Sequence, residues 1–130
     1  MSGDNGRSHL RWPLRVSEEL HDGVLVLVVA GRLGHLSAGT LHTALERALG
    51  EGPRGLVIDL AQVDYVSSAG LAAISAAAAR FATARSPLIL CAVSEPVSVA
   101  FNLGGLLSQI QIEPTRSRAV ARVARHRTAP

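Results

Sequence analysis

Two adjacent hydroxyls, Ser67 and Ser68, stand where an apolar run gives way to a helical pattern, in the stretch LVIDLAQVDYVSSAGLAAI from Leu56 to Ile74. Leu56, Val57 and Ile58, followed by Asp59 and Leu60, have the pattern of a strand buried on both faces. Behind a polar elbow from Gln62 to Ser68, Leu71, Ile74, Ala78 and Phe81 recur at helical spacing. Ser67 is therefore placed to cap the helix, its hydroxyl accepting from backbone N–H groups that a first turn leaves unpaired. Ser68 becomes the first helical residue, at the positive end of the helix dipole, where an attached phosphate is stabilised. On residue type alone, capping is a sufficient reason for both serines.

The other chemistry-bearing residues fit no catalytic pattern. Asp59 and Asp64 lie five apart along a strand and turn, which does not fix a pair of working carboxylates, and Asp64 suits a turn. His35 and His42 are seven apart across a helix start with no cysteine nearby, a poor metal spacing that fits solvated histidines. Ser67-Ser68-Ala69-Gly70 lacks the Gly-x-Ser-x-Gly elbow of a hydrolase nucleophile. Gly31 and Gly34 have no third glycine at the offset of a dinucleotide loop. Cys91, in the middle of an apolar run, has the setting of a small buried hydrophobe. The expectation is a non-enzyme with no cofactor and no metal.

These residues need a scaffold, and composition bounds it. A chain of 130 residues is one domain by size, and its 48% hydrophobic content with 3% aromatics demands an aliphatic core. The single cysteine excludes an internal disulfide and fits a reducing compartment. The longest apolar run, Val24 to Ala30, falls far short of the roughly 20 residues a spanning helix needs. The opening MSGDNGRSHL lacks the apolar centre of a signal peptide, so a cytoplasmic protein without membrane contact is expected. The net charge of +3 sits at the ends. Residues 116–127 carry five arginines and no acid, whereas residues 16–113 hold five arginines against nine acids. Basic ends without stacking aromatics or a nucleic-acid motif argue for solvated tails and against direct nucleic-acid binding.

The element order expected is β-β-α-β-α-β-α-β-α. Residues 1–12 form a polar tail, 13–127 the domain and 128–130 a short C-terminal tail, with order setting in near Trp12 and Pro13. A strand from Leu14 to Glu19 turns at His21-Asp22-Gly23 into the strand Val24 to Ala30, whose unbroken apolar run belongs inside a sheet. Gly31 to Leu36 is a loop. Ser37 caps a helix whose apolar stripe is Leu41, Ala44, Leu45, Ala48 and Leu49, ended by Gly50 and the following Glu51-Gly52-Pro53. The helix after Ser67 stops near Arg85, because Pro87 disfavours helical geometry at Ser86. Leu88 to Val93 is a buried strand. Ser94 caps a helix with Val97, Ala100 and Phe101 inward, ended by Gly104-Gly105. Ile110 to Ile112 is an edge strand. A last helix, Ser117 to His126, turns Val120, Val123 and Ala124 inward, with Arg116 and Arg118 opposing the dipole at its start. Alternation of strand and helix makes the sheet mostly parallel after the first hairpin: an α/β fold.

The segment YVSSAGL, Tyr65 to Leu71, resembles the phosphorylation loop of STAS-domain proteins, specifically bacterial anti-sigma factor antagonists. GRLGHLSAGTL is similar to that family's first loop and helix, LILCAVSEPVSVAF to a later strand and helix, and NLGGLL to a segment near the last strand. The resemblance runs over about residues 14–125 in the family's order of elements. It implies a STAS-like single domain and a switch. The phosphorylated serine would be Ser68, and the partner an anti-sigma factor that is also a serine kinase of the histidine-kinase-like ATPase type. The unmodified protein would bind that partner and free a sigma factor, phosphorylation would end binding, and a serine phosphatase would restore it. The implied docking face is Gly31, Leu33, Gly34, His35 and Ser37 from the first loop, with Asp64, Ser67, Ser68, Ala69 and Gly70 from the second. Two positions depart from the family pattern: Ser67 and Gly34 stand where it usually carries Asp, with Asp64 supplying nearby negative charge. An alternative within the same resemblance is a STAS subunit that docks an ATPase in a lipid-transport or other complex without phosphorylation.

Overall fold

Asp22 and Gly23 both take positive φ, 54° and 79°, as a tight hairpin requires. They join β1 (Arg15–His21) to β2 (Val24–Leu33) in an antiparallel pair. The computed structural model of the protein describes residues 14–51, 54–105 and 110–128. The expected tail at 1–12, Trp12-Pro13, Gly52-Pro53, the Leu106-Leu107 end of NLGGLL and residues 129–130 lie outside the described residues.

The remaining elements follow in the expected order: α1 (Ala38–Gly50), β3 (Leu56–Val66), α2 (Ser68–Thr83), β4 (Leu88–Cys91), α3 (Glu95–Leu103), β5 (Gln111–Glu113) and α4 (Arg116–Thr128). The five strands form one sheet in the order β1-β2-β3-β4-β5, parallel throughout except for the first pair. Alternate strand residues face two layers. On one face Leu27, Val29, Leu56, Ile58, Leu60 and Leu90 pack against Leu41 and Leu45 of α1, Ile74 and Phe81 of α2 and Val97 and Phe101 of α3. On the other, Val24, Val26, Val57, Ile89 and Cys91 meet Ala119, Val120 and Val123 of α4.

Several boundaries differ from expectation for local reasons. The stretch expected as an elbow, from Gln62 onward, is strand as far as Val66, and β2 continues through Gly31 to Leu33. Val28 pairs with Asp59 and Ala30 with Gln62; Gly31 pairs with Val63 and Leu33 with Val66. Two steps along β2 thus match three along β3, twice, so β3 carries two bulges. The bulges bring Leu60, Val63 and Val66 to the same core face at intervals of three, a spacing that conceals a strand whose side chains normally alternate. β4 stops at Cys91, because Ala92 takes a positive φ of 57°; Cys91 ends its strand and does not lie mid-strand. β5 lies one residue later than expected, and α4 starts at Arg116. Gly50 is still helical and Glu51, in right-handed geometry, closes α1. α2 ends at Thr83 because Arg85 turns left-handed (φ 59°), while the Ser86 N–H donates to Phe81 O at 2.9 Å and the Arg85 N–H to Ala82 O at 3.0 Å.

Candidate functional site

β2 and β3 run side by side and end together, and the site is built on that shared end. The Ser67 N–H donates to Leu33 O at 2.9 Å, so the last ladder bond passes directly into the helix cap. Ser67 is extended (φ −94°, ψ 175°) and its Oγ accepts from the Gly70 N–H at 3.3 Å, while its carbonyl accepts from the Leu71 N–H at 2.9 Å. Ser68, the first residue of α2, is exposed and its hydroxyl is not the group that caps. Gly70 explains why the corner is so tight. A Cβ there would lie 2.6 Å from Leu33 Cγ and 2.9 Å from both Leu33 O and Val66 Cγ2, so only glycine lets α2 start against the strand ends.

The first loop closes on itself. Ser37 stands at the N-cap position of α1 but makes no side-chain cap bond; its Oγ accepts from the Gly34 N–H at 2.9 Å and donates to Arg32 O at 2.7 Å. Gly31 needs its glycine, with a φ of 119°, where β2 slips register against β3. At Gly34 a Cβ would meet only Tyr65 Cε2 at 3.7 Å, an ordinary contact, so a Cβ would fit there. Tyr65 in turn carries the Arg32 guanidinium over its ring at 4.1 Å. Ser94 also departs from its expected cap role: its Oγ donates to Val63 O at 3.2 Å, within the second bulge.

Of the residues singled out in the sequence, Ser68, His35 and Asp64 are exposed. Gly31, Gly34, Ser37, Ser67 and Ala69 are half-buried, and Leu33 and Gly70 are buried. The two loops are brought together through Leu33, Gly34, Tyr65, Ser67 and Gly70. Asp64 lies in β3, in the second bulge, and not in a free turn. His35 and His42 are both exposed. Among the described residues no three His, Cys, Asp or Glu side chains gather as a metal would require. The Arg32–Tyr65 contact leaves no signal in the sequence, because a cation and an aromatic on separate strands have no fixed spacing.

A second polar cluster lies on the α4 side. Asp59 is 5% exposed; its Oδ2 accepts from Arg116 Nε at 2.7 Å and its Oδ1 from the Ala61 N–H at 2.9 Å. Arg116 Nη1 reaches Glu19 Oε1 at 2.9 Å, and His21 Nε2 bonds the same oxygen at 2.8 Å. The Asp59 carboxylate raises the Arg116 pKa and keeps it charged. Burial, with the Asp59 charge beside it, pushes the Cys91 thiol up to about 12. Arg116 and Arg118, expected to oppose the helix dipole, are engaged elsewhere: Arg116 with Asp59, and Arg118 with Glu113 at 3.6 Å. A lone charge inside LVIDL is itself a signal that some cation must meet it.

The STAS-domain family model matches residues 15–119. The chain belongs to the STAS-domain family. This STAS protein is 29% identical over 108 residues to BtrV of Bordetella bronchiseptica, assigned by its name to the anti-sigma factor antagonists; the match covers 83% of this chain and 93% of BtrV. It is 36% identical over 56 residues to the anti-sigma-F factor antagonist RsfB of Mycobacterium tuberculosis, covering 43% of this chain and 46% of RsfB. The crystal structure of an anti-sigma factor antagonist from Mycobacterium paratuberculosis superposes with a TM-score of 0.79 at 27% identity, over 85% of this chain and 94% of that one. Among the described residues no helix is long and apolar enough to cross a membrane.

Proposed function

We propose that this STAS domain is an anti-sigma factor antagonist that works by contact and not by turnover. With Ser68 unmodified, the face formed by the Gly34–Ser37 loop and the start of α2 docks an anti-sigma factor that is also a serine kinase of the histidine-kinase-like ATPase type. The sigma factor is thereby released in the cytoplasm. Phosphorylation of Ser68 ends the contact, and a serine phosphatase reverses it. The observation that carries this reading is the division of labour between the serines: Ser67 is spent on the cap, and Ser68 presents an exposed hydroxyl on the first turn. A phosphate there adds roughly −1.5 to −2 charges at a helix start that itself stabilises anions. The group is therefore tolerated by the fold and rejected by a docked partner through desolvated charge and bulk. The names of BtrV and RsfB support the same class of role.

The test is capture and labelling with the kinase domain bound from the chain's own cell lysate. ATP should add one phosphate to the wild type and to Ser67→Ala, and none to Ser68→Ala, and the phosphorylated form should lose capture. Labelling of Ser68→Ala, or equal capture of both forms, overturns the reading. A second reading, docking of an ATPase without phosphorylation, draws support from the uncharged Gly34 and Ser67 in place of the family's acids. Stable capture of an ATPase with no phosphate on the chain would favour it.

A further inference from the structure

β3 reaches Ser67 through two bulges, and a side chain fastens each of them. In the first, the Ala61 N–H donates to Asp59 Oδ1 at 2.9 Å. In the second, Val63 O accepts from Ser94 Oγ at 3.2 Å. The Asp59 carboxylate is buried, and a buried charge is stable only when its oxygens are occupied. One oxygen holds the bulge; the other is held by Arg116 Nε at 2.7 Å, the first residue of α4. Arg116 is braced in turn by Glu19 of β1, at 2.9 Å.

The geometry points to Asp59 and Arg116 as positioning residues for the Ser67–Ser68 corner, acting from the α4 face of the sheet. This rests on the docking function proposed above, and it adds residues that lie off the docking face. The bulge sets the phase of everything after it. Beyond it, Val63 and Val66 turn to the α1–α3 side, Val66 packs where Gly70 passes, and the Ser67 N–H meets Leu33 O. Removing the bulge shifts the strand by one residue, which reverses the faces of Val63 and Val66 and parts Ser67 from Leu33. Arg116 holds Asp59 in the rotamer that receives the Ala61 N–H.

Heteronuclear spectra and amide hydrogen exchange of the full chain test the assignment without any partner. Asp59→Ala removes both bonds of the carboxylate. Asp59→Asn keeps an oxygen for the Ala61 N–H and removes the charge that holds Arg116. Arg116→Lys keeps the charge and removes the planar fork. In Asp59→Ala the amides of Ser67, Ser68 and Gly70 should shift and the Ala61 amide should exchange faster. Asp59→Asn should keep Ala61 protected and move the corner less. Perturbation confined to β1 and α4, with the Ser67–Gly70 amides as in the wild type, overturns the proposal. Should Asp59→Ala fail to fold, Arg116→Lys decides: the corner amides move, or the assignment falls. Capture of the lysate-derived kinase should weaken by roughly 2- to 30-fold in the variants whose corner moves, the ordinary range for residues acting through a packed element. If the wild type captures no kinase, the docking function fails, while displaced corner amides still establish the positioning.

Discussion

The Ser67–Ser68 corner and the Asp59–Arg116 clasp hold the same strand by opposite means. The corner is uncharged. It is fixed by the Ser67 N–H to Leu33 O bond, by the Ser67 cap on Gly70 and by the absence of a side chain at Gly70. The clasp buries a carboxylate and locks it with a guanidinium whose side chain is 30% exposed. The difference separates two tasks. The proposed docking corner presents a neutral hydroxyl, Ser68, at a helix start, and backbone bonds and close packing shape it. An irregular strand segment under a helix has no such constraint, and a charge there can bond to both elements at once.

The largest break in this contrast comes from Arg116→Met. It leaves Asp59 buried without its cation, and removing one partner of a buried pair costs about 3 kcal/mol. Urea unfolding should show a midpoint lowered accordingly; an unchanged midpoint would mean that the carboxylate is already solvated. Next comes Gly70→Ala. Its methyl group would sit 2.6 Å from Leu33 Cγ and 2.9 Å from Leu33 O, so backbone must move. Overpacking of this kind costs about 1–3 kcal/mol, and partner capture should be lost with it. Gly34→Ala is the control, since its Cβ meets only Tyr65 Cε2 at 3.7 Å and should leave stability within roughly 0.5 kcal/mol of the wild type. Similar losses at both glycines would refute the claim that close approach at Gly70 builds the corner.

The same division governs what can be read from the chain before folding. The apolar faces of α1, α3 and α4 were legible because helical spacing reports burial directly: Leu41 and Leu45, Val97 and Phe101, Val120 and Val123 all turn inward. The hairpin was legible because Asp22-Gly23 accepts positive φ. The second half of β3 was not, because its bulges space Leu60, Val63 and Val66 by three and imitate a loop with scattered apolar residues. Position alone suggests caps at Ser37 and Ser94, but neither hydroxyl caps its helix: Ser37 Oγ donates to Arg32 O and Ser94 Oγ to Val63 O. The serine loop was legible as a cap and a resemblance. Its support from Asp59 and Arg116 was not, since those residues lie 57 apart and only the folded sheet brings them together.

The two serines give a smaller effect and a sharper one. Ser67→Ala removes the cap bond to the Gly70 N–H and should cost about 1 kcal/mol, with phosphate uptake at position 68 retained. Ser68→Ala touches no cap and should change stability by less than about 0.5 kcal/mol while abolishing phosphate uptake. Thermal unfolding and kinase labelling on the same pair of variants separate the capping serine from the one proposed to take phosphate. A stability loss at Ser68 matching that at Ser67 would assign both hydroxyls to the cap.

The smallest effect belongs to the exposed end of the clasp and is read through pH. The His21 ring bonded to the Glu19 carboxylate lowers its pKa below the ordinary 4.5; a slight loss of solvation opposes this, and the Arg116 charge adds to it. A carboxyl with a lowered folded pKa stabilises the fold fully above the unfolded value, and the contribution is lost as pH falls through the folded one. The difference in unfolding midpoint between wild type and Glu19→Gln should therefore be present just above pH 4.5 and shrink toward zero below it. Ser68→Ala should follow the wild type at every pH, because the corner holds no charge. A Glu19→Gln difference that persists unchanged into acid would mean that the charge of Glu19 is not its source, and that the ionic part of the clasp ends at Arg116 and Asp59.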